Sequence, residues 1–207
     1  MADPNQTAVF VPALAEAGEP GAPADPNLTA VLPPACPEVE AIVRTLTADF
    51  NDVAATELHL LLIGEEYLAA ATQLHRSAGL AKATEYYRKA IEVWQNNIAR
   101  LSDTLYFSES CYFTGYAFRS MEEYGKARDS FEMLLTRTPT FNQAWDAQFM
   151  IADCWDRLYK KKELTYEDAK PRVVDACMKL EENYPKSKAA AAAQQLLIRY
   201  NRPVDTQ

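Results

Sequence analysis

The stretch YFSESCYFTGYAFRSMEEYGKARDSFEMLLTRTP, residues 106–139, decides how the chain is read. Its pattern predicts two helices joined by a short turn. The first is expected over 106–120, with Ser102 or Asp103 as N-cap, because a short side-chain oxygen there accepts from a free first-turn N–H. The second is expected to start near Glu122 and to stop before Pro139. Its apolar residues Tyr124, Ala127, Phe131, Leu134 and Leu135 fall three, four or seven apart and so share one helix face. Gly115 sits mid-helix, where glycine costs roughly 1 kcal/mol against alanine. A close backbone approach opposite the small Ala127 would compensate.

Working outward, the pattern returns on both sides. Ala71, Leu74, Ala83, Tyr87, Ala90 and Ile91 match Gly115, Phe118, Ala127, Phe131, Leu134 and Leu135 at a constant offset of 44. That predicts a helix pair over 65–94, its second helix running on toward Arg100 or followed by a loop. Residues 141–185 predict a third pair. Trp145, Phe149, Ala152 and Trp155 line its first helix, and Val173, Cys177, Leu180 and Pro185 take the spacing of Ala127, Phe131, Leu134 and Pro139. Between its halves lies an insertion headed by Lys160, Lys161 and Lys162. Thr165 with Asp168 then suits a helix cap, and Pro171 suits only a first helical turn. A last helix over 187–200 has small residues Ala189 to Ala193 and apolar anchors Leu196, Leu197 and Tyr200. Residues 37–63 predict two further helices, the second interrupted at Gly64.

The central stretch resembles one unit of the tetratricopeptide repeat (TPR) family. That unit spans roughly 34 residues, with small residues at its eighth and twentieth positions, aromatics at its eleventh and twenty-fourth, and proline at its end. Gly115, Ala127, Phe118, Phe131 and Pro139 stand at those places. Cys111 and Thr114 depart from the family's tryptophan and leucine, and an ordinary helical hairpin is the plainer alternative. The resemblance implies an all-α, right-handed stack of helical hairpins, a TPR-like α-solenoid over residues 37–207, closed by a capping helix. It also implies a protein-binding scaffold or accessory subunit. EENYPKSKAAAAAQQLL, residues 181–197, is similar to junctions in periplasmic TPR proteins of the outer-membrane assembly type, which implies an envelope-assembly factor as the alternative.

Composition narrows the function. The 207 residues carry 29 acids and 21 bases, a net charge of −8. That argues against a sequence-independent nucleic-acid binder, which needs clustered bases to release counterions. It argues equally against attraction to an anionic membrane surface. No apolar run reaches the roughly 18 residues of a membrane span. As written the chain reads as cytoplasmic, or as periplasmic if a leader has been removed. Cys111, Cys154 and Cys177 fall at helix-interior positions, where cysteine behaves as a small hydrophobe. With Cys36 they make no CxxC pair, and no disulfide framework is implied.

Residues 1–36 stand apart. They hold seven of the twelve prolines, four acids, no Lys or Arg, and no Tyr or Trp. Such a segment cannot bury enough apolar surface to order itself and is expected to be an extended or disordered arm. ADPNQTAV (2–9) returns as ADPNLTAV (24–31), which reads as a duplicated docking peptide or as slippage in low-complexity sequence.

No chemistry-bearing motif appears. His59 and His75 have no Cys or His at metal-ligand spacing, and there is no nucleophile elbow, Walker loop or H-E-x-x-H. An enzyme of unknown class is the remaining alternative, with no catalytic residue, metal or cofactor expected. The family resemblance implies instead that first helices line a partner-binding groove. Thr72, His75 and Arg76 would come from one unit, Tyr112, Tyr116 and Arg119 from the next, and Phe149, Asp153, Asp156 and Arg157 from the third. The family's carboxylate clamp is not carried over, because Leu68, Thr72, Tyr112 and Tyr116 occupy the comparable places. The partners implied are other proteins, within a multi-subunit complex.

Overall fold

The computed structural model describes residues 53–100 and 105–201, and every regular element in them is an α-helix. In chain order these are α1 (Val53–Ala78), α2 (Leu80–Arg100), α3 (Leu105–Ser120), α4 (Tyr124–Arg137), α5 (Ala144–Lys160), α6 (Tyr166–Asn183) and α7 (Ala190–Asn201). Each helix packs on the next in sequence, and α1 also touches α3. The result is an ordered stack of three hairpins with α7 laid against α6. The arm, residues 37–52 and the N-cap expected at Ser102 or Asp103 lie outside the described residues.

The equivalences read from the sequence form one core. Ala71, Ala83, Tyr87 and Ala90 are buried in the first hairpin, and Ala127, Phe131 and Leu134 in the second. Val173, Cys177 and Leu180 do the same in the third, and Ala189, Ala193, Leu196 and Tyr200 anchor α7. Cys111, Cys154 and Cys177 are free and buried, and burial pushes each thiol up to about 12. The thiolate form needed for nucleophilic chemistry is thereby suppressed.

Four local expectations change. Gly64 does not interrupt a helix: α1 runs straight through it. The glycine makes room for Trp94, whose indole occupies the space a Cβ would need and donates from Nε1 to the Leu61 carbonyl at 3.3 Å. At Gly115 the close neighbour is the Phe131 ring rather than the backbone at Ala127, since an added Cβ would lie 2.6 Å from Cζ. The second central helix begins at Tyr124, two residues late, because Glu122 has φ 61°. Glu122 N–H donates to the Arg119 carbonyl at 2.9 Å and Glu123 N–H to the Phe118 carbonyl at 2.9 Å, the paired bonds of a Schellman stop. Finally, Pro171 lies beyond the first turn. Thr165 caps α6 by accepting from the Asp168 N–H at 3.1 Å, so the helix is under way five residues before the proline.

Lys162, with φ 62°, repeats the Glu122 stop after α5. Its N–H donates to the Tyr159 carbonyl at 2.8 Å, and Glu163 N–H to the Leu158 carbonyl at 3.0 Å.

The two linkers between hairpins also repeat each other. In the first, Thr138 N–H donates to Leu134 at 2.8 Å, Phe141 to Thr138 at 3.1 Å and Ala144 to Phe141 at 2.9 Å. In the second, Tyr184 donates to Leu180 at 2.8 Å, Ser187 to Tyr184 at 3.0 Å and Ala190 to Ser187 at 3.2 Å. Every atom pair recurs 46 positions on.

Candidate protein-binding face

The residues expected on the groove stand on α1, α3 and α5, and most of them hold one unit to the next. On α3, Tyr112 donates from its hydroxyl to Asp146 Oδ2 on α5 at 2.7 Å, and Tyr116 donates to the same oxygen. Burial, and then the Asp146 carboxylate, push both phenols far above their ordinary range, so both stay donors at every physiological pH. Tyr112 is 4% exposed, and its ring meets Tyr116 at 4.9 Å and Phe141 at 5.6 Å between centroids.

Two helical turns further, Arg119 Nε donates to Asp153 Oδ2 at 2.8 Å. Arg157 Nε takes the other oxygen of Asp153 at 3.3 Å, so one carboxylate joins α3 to α5 between two guanidiniums. Arg157 and Lys161 also lie over the Tyr124 ring, at 5.9 and 5.2 Å from its centroid. Tyr112 to Asp146 and Arg119 to Asp153 are both steps of 34. Tyr166, whose hydroxyl donates to the Tyr200 carbonyl at 2.9 Å, makes the same step from α6 to α7.

Asp156 is 2% exposed and closes the far end. It receives the Tyr200 hydroxyl at 3.0 Å, Arg199 at 3.1 Å and Lys160 at 2.6 Å. A buried carboxylate is tolerated only when its lone pairs are filled this way. Phe149 is partly buried against the core. Thr72 donates back to the Leu68 carbonyl at 2.8 Å, His75 Nδ1 lies 3.3 Å from the Tyr87 hydroxyl, and Arg76 is exposed.

The sequence reading passed over Asp146, the acceptor for both tyrosines. The signal was its place 34 residues after Tyr112, but a single Asp in a first helical turn is also what a helix dipole favours. It also passed over a groove of about 450 Å³ between α4 and α6, floored by Leu135 and Ile151. At that groove two guanidiniums lie over the Trp155 ring, Arg128 at 4.2 Å and Arg172 at 4.8 Å from its centroid. Among the described residues no three His, Cys, Asp or Glu side chains gather as a metal-binding group, and no helix is long and apolar enough to cross a membrane. Comparison with models of known protein families found no match, and comparison with curated proteins found none either.

Proposed function

We propose that the chain is a protein-binding scaffold, an accessory subunit of a larger assembly, built as a right-handed TPR-like solenoid. One observation carries this reading. Two polar bonds at the same 34-residue step, Tyr112 to Asp146 and Arg119 to Asp153, join α3 to α5, so the second and third hairpins are held in one register. A stack so joined is nearly one-dimensional and offers a long surface for its size. The partner face would run along the outer edge of the first helices: Arg76 on α1, Tyr116 and Arg119 on α3, then Phe149 and Arg157 on α5. Arg and aromatic side chains are the residue types that anchor protein interfaces. In this reading Asp146 and Asp156 hold the face in shape and do not themselves meet the partner.

The test is a native pull-down from the source cell with the full chain. Stoichiometric recovery of one complex supports a subunit, and many substoichiometric clients would make the chain a transient assembly factor instead. Arg76→Ala with Phe149→Ala should weaken recovery while Lys179→Ala on α6 leaves it unchanged. Equal recovery from all three would remove the first-helix face from the proposal.

A further inference from the structure

The two linkers have the same backbone hydrogen bonds, so Phe141 and Ser187 occupy equivalent places. At the first place the Phe141 ring fills the gap beside α3, 5.6 Å from Tyr112. At the second there is only a serine. Its Oγ makes no hydrogen bond to the protein. Beside it a pocket of about 490 Å³ opens against α5, walled by Trp145, Tyr184 and Pro185. Its rim carries Lys186 and Lys188, and among the described residues no carboxylate lines it. The chain as a whole is acidic, at −8, so this is a locally basic, aromatic-walled vacancy shaped by the absence of one ring.

We propose that this pocket seats Phe10 of the chain's own N-terminal arm, in the place Phe141 fills one unit earlier. Three features select that occupant. Residues 1–36 carry four acids and no base, which complements the two lysines. Phe10 is the only aromatic among them. The reach is sufficient: Phe10 lies 43 positions before Val53, and even with residues 37–52 counted as helix, residues 11–36 alone can extend to roughly 85 Å. Three hairpin layers at roughly 10 Å each are crossed by such a span. In the second copy of the duplicated peptide Leu32 stands where Phe10 stands in the first. It offers no ring to stack on Trp145, so the first copy is the one seated.

The experiment uses the full chain with photoreactive benzoylphenylalanine in place of Phe10, irradiated at low protein concentration and mapped by mass spectrometry. The expected product is a monomer-mass adduct on the peptide carrying Trp145 or on residues 184–188. Lys186→Glu with Lys188→Glu should lower its yield several-fold. Ser187→Phe, which refills the place from within, should abolish it while leaving the helical circular dichroism unchanged. Adducts scattered over other helices would overturn the proposal, as would a yield indifferent to both variants. Dimer-mass adducts would overturn it too, because they would place the arm of a second copy there.

Discussion

At the residue scale, the contact of Gly115 with Phe131 decides how the central hairpin closes. The sequence made the glycine conspicuous, and a close approach was legible from its place mid-helix. What approaches was not legible, because the direction of the Phe131 ring depends on a side-chain torsion that no spacing encodes. The structure puts the ring edge where a Cβ would stand, at 2.6 Å. Gly115→Ala gains helix propensity yet forces the ring aside, so it should destabilise by about 1–3 kcal/mol, as overpacking does. Phe131→Ala should cost about 3–5 kcal/mol. In the double variant the added methyl has room, and urea unfolding should show a loss smaller than the sum of the two. Strict additivity would mean that something other than the ring excludes a side chain at 115. Asp146 makes the same point for the candidate face. Tyr112 and Tyr116 were legible as a pair on one helix side, but their shared acceptor sits in another unit.

At the element scale, helix identity was legible and helix ends were less so. Periodicity located α3 to α7, because buried faces repeat every three or four residues. It misplaced the start of α4, since the stop before it is made by Glu122 in a left-handed conformation that ordinarily marks glycine. Lys162 does the same after α5 and is exposed. Lys162→Gly should therefore raise the stability by about 0.5–1 kcal/mol, the left-handed penalty less the entropy of glycine. A lowered melting temperature would show that the lysine side chain contributes more than its backbone costs.

The junction between the first two hairpins carries a pH dependence. Burial, then Glu109 across on α3, then Glu66, push the Glu65 carboxyl from 4.5 up to about 7. Burial raises Glu109 as well. The folded state thus holds a proton that the unfolded chain releases near 4.5, so the contribution is full below that pH and is lost as pH rises toward 7. Chemical denaturation should find the protein less stable at pH 7.5 than this group would allow at pH 5. Glu65→Gln should flatten that slope, and an unchanged slope would move the titrating group elsewhere.

At the scale of the whole molecule, the order of packing follows the order of the sequence. That is why the fold could be read from local pattern: each helix packs mainly on its neighbours in the chain. The 34-residue polar steps were the part that local pattern hid. Matching joints at Ala144 and Ala190 have a genetic meaning as well. The segment 144–189 is bounded at both ends by the same backbone geometry, so it is an exchangeable cassette. Inserting a second copy after Ala189 joins segments of matching backbone geometry at each seam, with linker 184–189 taking the place of linker 138–143 before the new α5. The lengthened protein should fold, gain helical signal in proportion to the added residues, and scatter X-rays as a longer rod.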